Sequence, residues 1–124
     1  YEKKIIEINN NLMKILLNYK KENKKIVGYG APAKATTLMY YFGLDTKIID
    51  YIIDDNPLKQ GMLSPGLNVP IVSSNFFNEN YPDIIIILAW NFADSIISKN
   101  KQFIKSGGIF IVPLPEIKEI KKHG

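Results

Sequence analysis

Residues 24–44 read KKIVGYGAPAKATTLMYYFGL. An apolar run, Ile26 to Tyr29, is interrupted by Gly28 and closed by Gly30, and Pro32 follows where a helix's first turn tolerates a residue without an N–H. The stretch therefore predicts a short buried strand, a glycine turn and a helix whose Ala35, Leu38, Met39 and Phe42 share a face and which Gly43 ends. Lys34 falls in the first turn of that helix. A helix N-terminus carries about half a positive charge and several unpaired N–H groups, so a lysine there is disfavoured by about 0.3–1 kcal/mol unless an anion lies beside it. Gly28, Gly30 and Ala33 also fit the spacing G-x-G-x-x-G/A, in which glycines permit a tight turn and close backbone approach to a phosphate. No glycine stands directly before Lys34, so this is not a Walker A loop. Residues 28–34 are a candidate anion site; a turn that merely packs helix on strand, with a solvated lysine, is the alternative.

Working outward, residues 1–22 place Ile5, Ile8, Leu12, Ile15, Leu16 and Tyr19 at helical spacing and predict an amphipathic helix that enters the domain. It either packs on the sheet or connects to a preceding domain. KIIDYIIDDNP supplies a second strand, PIVSS a short third strand leading into a brief helix, and DIIIILAW a strand buried on both faces, as parallel sheets require. Ala93, Ile96, Ile97, Phe103 and Ile104 mark one further helix, SGG caps it, and GIFIVP is a last strand. Strands and helices alternate from residue 25 onward, which predicts an α/β fold with a parallel sheet covered on both faces. The stretch DDNPLKQGMLSPGLNVP is too long and too rich in turn residues to be a simple connector.

The 124 residues, 46% of them hydrophobic, suffice for one core and not for two ordinary domains. The net charge of +4 comes from lysines in the first helix, the Lys20 to Lys25 run and the Lys118 to Lys122 tail, which read as a solvated face rather than a nucleic-acid surface. There is no cysteine, and the one histidine, His123, lies in a polar tail, which excludes disulfides, thiolate zinc sites and His-based triads within the chain. The longest apolar run, residues 84–90, is far short of the ~20 residues that span a bilayer, and a cytoplasmic protein without membrane contact is expected. The chain opens at Tyr1 directly in a helical pattern, as a piece of a longer polypeptide would.

Ligands of such sheets bind beyond the carboxyl ends of the strands, where the strand order reverses. GYGAPAK, DDNPLKQG and AWNF are expected to converge there. Asp54 and Asp55 end the second strand, where an acid can accept hydrogen bonds from ribose hydroxyls; an Asx turn through Asn56 and Pro57 is the competing reading. Lys59 and Gln60 reach toward phosphate or sugar, or are plain loop residues. Trp90 and Asn91 follow the apolar strand directly; the indole either stacks on a base or sugar or, as is commoner beside a buried strand, belongs to the core. Phe76, Phe77, Tyr40 and Tyr41 read as packing residues.

The segments GYGAPAKATTLMYYFGL, IDYIIDDNPLKQGMLSPGLNVPI, ILAWNFADSI and GGIFIVPLPEI together resemble the C-terminal domain of the sugar C-methyltransferase family. Members transfer a methyl group from S-adenosylmethionine to a carbon of a nucleotide-linked keto sugar. The resemblance implies a three-layer Rossmann-like domain over residues 24–124, preceded by a helix over residues 1–23. It also implies a larger parent with a cysteine-ligated zinc region and a separate S-adenosylmethionine-binding domain that carries the catalytic residues. None of those catalytic, cofactor or zinc positions carries over to this chain, for which no catalytic residue, metal or bound cofactor is expected. A supporting role in binding a nucleotide-linked sugar carries over to Gly28, Gly30, Ala31, Ala33, Lys34, Asp54, Asp55, Lys59, Gln60, Trp90 and Asn91. The isolated chain is expected not to turn over. Three other readings stay open: the nucleotide-sugar-binding domain of a sugar acyltransferase, a fragment of an NAD-dependent oxidoreductase, and a scaffold domain with an empty crevice.

Overall fold

The computed structural model describes residues 2–30, 47–54, 69–79, 81–113 and 117–122, with the backbone alone at residues 2–6, 75 and 78. The helix expected from Pro32 and most of the long irregular stretch lie outside these residues.

A 20-residue helix, α1 (Glu2–Lys21), leads through a tight turn into β1 (Ile26–Tyr29). β2 (Ile52–Ile53), β3 (Ile71–Val72), α2 (Ser74–Glu79) and β4 (Ile84–Ile87) follow. A 3₁₀ turn at Trp90–Phe92 opens into α3 (Ala93–Lys99), and α4 (Lys101–Lys105), β5 (Ile109–Val112) and β6 (Lys118–Ile120) complete the described elements. The strands form a six-stranded sheet in the order β3-β2-β1-β4-β5-β6. β1 to β5 run parallel, and β6 pairs antiparallel with β5.

The isoleucine-rich strands are buried on both sides, and their alternation sorts the core into two layers. Ile26, Ile84, Ile86 and Ile111 pack with Ile8, Leu12 and Leu16 of α1. Val27, Ile85, Ile87 and Phe110 point the other way, into a cluster with Phe77 of α2, Ala93 and Ile96 of α3 and Phe103 of α4. Each fully buried aliphatic or aromatic side chain contributes about 1.5–3 kcal/mol relative to exposure, so helices on both faces are what lets an all-parallel core exist in water. Phe103 anchors the second layer, with its ring 5.6 Å from Phe77, 5.5 Å from Tyr81 and 5.1 Å from Phe110.

Polar contacts fix α1 and the amino end of the sheet. Tyr19 Oη donates to Glu119 Oε1 of β6 at 2.7 Å, while Lys20 Nζ lies 3.8 Å from Asp50 Oδ1 just before β2, so the two flanks of α1 reach opposite sides of the sheet. At the foot of β1 and β4, the Lys25 N–H donates to Asp83 Oδ2 at 2.8 Å, and the Asp83 and Ile84 N–H groups return bonds to the Lys25 carbonyl at 3.0 and 2.9 Å.

Three details differ from the sequence reading. The helix expected over residues 93–104 is broken at Asn100, whose amide Nδ2 donates to the Ile96 carbonyl at 2.7 Å; a side chain bonding four residues back competes with the helical ladder. GIFIVP is not the last strand, because the lysine-rich tail supplies β6 along the exposed edge of β5. DIIIILAW is not extended throughout: the strand ends at Ile87, and Trp90 enters a 3₁₀ turn.

Candidate functional site

The strand order reverses between β1 and β4: successive strands run outward from β1 through β2 to β3, whereas β4 returns to the opposite side of β1. In a doubly wound sheet that point opens a crevice at the carboxyl ends of the strands. Gly30 closes β1 there with φ of +88°, a left-handed conformation that costs glycine little. Its N–H donates to the Ile53 carbonyl at 2.7 Å, tying the turn to the end of β2. A Cβ added to Gly30 would stand 2.6 Å from the Ala89 Cβ. Leu88 and Ala89 both direct their N–H groups at the Tyr29 carbonyl, at 2.9 and 3.3 Å, which bends the chain off the ladder and starts the turn.

Gly28 serves a different purpose. It lies inside β1, paired with Ile52 and Ile86, and the space a Cβ would need is filled by Leu88, whose Cδ1 would be 2.8 Å away. Its missing side chain lets a buried leucine fold over the strand end. Asp54 directly follows β2, half-buried, with its N–H donating to the Val72 carbonyl at 2.9 Å.

Trp90 and Asn91 stand on the 3₁₀ turn after β4, and both are exposed. The core reading of Trp90 is thereby corrected: the indole is 37% accessible because the chain has already left the sheet. Phe92, which the sequence reading passed over, is 65% exposed on the same turn. Ala89 was missed too; the signal available was a small residue between an isoleucine run and a tryptophan, opposite a glycine turn. Phe77 is buried, while Phe76 is largely exposed and meets Tyr51 edge to face at 5.2 Å.

Gly30, Asp54, Trp90 and Asn91 thus follow the carboxyl ends of β1, β2 and β4, three strands adjacent in the sheet. Ala31, Ala33, Lys34, Asp55, Lys59 and Gln60 lie outside the described residues. The described residues at this edge offer an amide, a carboxylate and an exposed indole, chemistry suited to binding and orienting a ligand. Among the described residues no group of three or more His, Asp or Glu side chains is placed to hold a metal ion. No described helix is long and apolar enough to cross a membrane.

The sequence profile of the C-methyltransferase C-terminal domain matches residues 1–115, nearly the whole chain. The chain belongs to that family. It is 42% identical over 95 residues to the C-methyltransferase NovU of Streptomyces niveus, a match covering 77% of this chain and 23% of the relative. The C-methyltransferase C-terminal domain is therefore one part of a larger methyltransferase, and the α/β fold expected from the resemblance is the one observed, down to a mostly parallel sheet with a helix before it.

Proposed function

We propose that this domain holds a nucleotide-linked sugar for an S-adenosylmethionine-dependent C-methyltransferase. The observation that supports the reading is that Gly30, Asp54, Trp90 and Asn91 follow the carboxyl ends of three adjacent strands at the point where the strand order reverses, the place where ligands of such sheets bind. The backbone N–H groups of Ala31 and Ala33 and the Lys34 ammonium hold the diphosphate, whose charge offsets the clash between Lys34 and the helix dipole. Asp54 or Asp55 accepts hydrogen bonds from the nucleoside or sugar, and Trp90 with Asn91 supplies an aromatic face and an amide on the other side of the crevice. Lys59 and Gln60 extend the polar side.

S-adenosylmethionine, when bound in the parent enzyme, supplies an electrophilic methyl group. It carries a sulfonium and an ammonium against a single carboxylate and no phosphate, so Lys34 is poorly matched to its net positive charge, and we assign it to the remainder of the parent polypeptide. What this chain contributes is orientation. Gripping the nucleotide, remote from the reacting carbon, fixes that carbon near the donor, and in the best cases orientation alone lowers a barrier by about 7–11 kcal/mol.

Steady-state kinetics of the parent methyltransferase test this reading. Lys34→Ala and Asp54→Asn should each raise KM for the nucleotide sugar about tenfold, about 1.4 kcal/mol, and leave KM for S-adenosylmethionine unchanged. Raised KM for S-adenosylmethionine instead would assign the crevice to the methyl donor.

A further inference from the structure

Helix α1 is held on the sheet in two ways that differ in kind. Ile8, Leu12 and Leu16, spaced four residues apart, form one apolar line that buries the helix against the first core layer. Burial of this sort is non-directional, so a single line of contact leaves a helix free to roll and to swing across the sheet. The side-chain polar contacts described for α1 lie in its last turn, one to each side. Tyr19 Oη donates to Glu119 Oε1 of β6 at 2.7 Å, and Lys20 Nζ stands 3.8 Å from Asp50 Oδ1. The hydroxyl-to-carboxylate bond is short and charge-assisted, whereas the ion pair is long and joins two solvated groups, so the Tyr19 contact is the stronger constraint.

The partner strand is itself well placed to act on α1. β6 begins just past residues 1–115, the stretch that the family profile matches, and it pairs with β5 through Ile120 opposite Phe110 and Lys118 opposite Val112. Ile117 packs on the first core layer and Ile120 on the second, so the segment grips the sheet edge from both faces while Glu119 meets Tyr19.

We infer that β6 is a clasp on α1 and that Tyr19 and Glu119 are positioning residues for methyl transfer. In a C-terminal domain the rest of the polypeptide leads in from the amino end, which here is α1. Glu2 precedes Tyr19 by 17 residues, about 25 Å of helix, so a change of about 10° in heading at the clasp moves the incoming end by about 4–5 Å. The reacting atoms must stand about 3–3.5 Å apart, and a displacement of that size separates them. The clasp thus acts on orientation and leaves the affinity for either reactant alone. The inference rests on the substrate-binding reading only in requiring that this domain hold one of the two reactants.

The test is steady-state kinetics of the full-length parent methyltransferase carrying Tyr19→Phe, which removes the hydroxyl and keeps the packed ring. kcat should fall about tenfold, with KM for the nucleotide sugar and for S-adenosylmethionine both within about twofold. Glu119→Gln keeps an acceptor oxygen and should retain kcat within about threefold; Glu119→Ala should match Tyr19→Phe, and the two together should fall no further. Lys118→Ala, on the same strand, should leave kcat unchanged. Should Tyr19→Phe fail to fold, Glu119→Ala at its exposed position carries the same test. Unchanged kcat in both, a raised KM as the main effect, or additive losses in the double variant would each overturn the inference. If Tyr19→Phe behaves as expected while Lys34→Ala and Asp54→Asn raise KM for S-adenosylmethionine instead of the sugar, the clasp stands and the substrate-binding reading is the one that fails.

Discussion

Gly30 and Ala89 meet across the reversal point of the sheet, so close that a Cβ on Gly30 would lie 2.6 Å from that of Ala89. Each strand leaves the ladder within a residue or two of this contact, so the pair fixes where the chain turns off β1 and β4 at the carboxyl edge of the sheet.

Gly30→Ala suffers twice, from φ of +88° and from the overlap with Ala89. Gly107 provides the comparison: its φ is +102°, but a Cβ there meets nothing within 4 Å. Gly107→Ala should cost about 1–2 kcal/mol from backbone conformation alone. Gly30→Ala should cost about 2–4 kcal/mol with the overlap added. Urea denaturation of both variants measures the difference, and Ala89→Gly introduced into Gly30→Ala should recover the steric part.

Stability should fall in alkali. Tyr51 is pushed up to about 12, first by burial and then by the Asp50 carboxylate. Tyr19 is likewise raised to about 12 by partial burial, by the hydrogen bond it donates to Glu119 and by the negative charges of Glu119 and Glu22. An unfolded tyrosine loses its proton near pH 10, so between about pH 10 and 12 the native state binds more protons than the unfolded one and the slope of stability with pH is negative. This contribution is complete below pH 10 and lost as pH passes 12. Denaturation midpoints followed over that window should decline, and more shallowly in Tyr19→Phe with Tyr51→Phe.

Asn9 lies on the sheet-facing side of α1, its Oδ1 buried with no hydrogen-bond donor among the described residues. An unsatisfied buried acceptor costs about 1–3 kcal/mol, and leucine has nearly the same shape. Asn9→Leu should therefore raise the urea midpoint; a lowered midpoint would mean that a donor reaches Oδ1 in solution.

The parts of the fold written in local pattern were legible in the sequence. The isoleucine run of β4 declares a strand buried on both faces, and the stripe of Ile8, Leu12 and Leu16 declares a helix with one buried side. The features decided by partners distant in the chain were not. Lys118–Ile120 reads as a charged tail and becomes a strand only because β5 offers an unpaired edge. IIIILAW reads as one strand, and nothing local shows that Leu88 and Ala89 will share the Tyr29 carbonyl and turn Trp90 out to solvent. The glycine turn was visible, whereas its contact with Ala89 depends on a strand pairing some sixty residues away in the chain. The break at Asn100 lay between these cases, since asparagine competes with helical hydrogen bonds but does so only where its side chain can reach back.

The most direct measurement is an amide NMR titration of this chain with TDP and UDP, run beside NAD and S-adenosylmethionine and repeated on Lys34→Ala. A nucleoside diphosphate should shift Gly30, Asp54 and Ala89 to Asn91 together, and Lys34→Ala should weaken its binding about tenfold. Shifts at this edge with NAD or S-adenosylmethionine alone, or none there with any of the four, would contradict it.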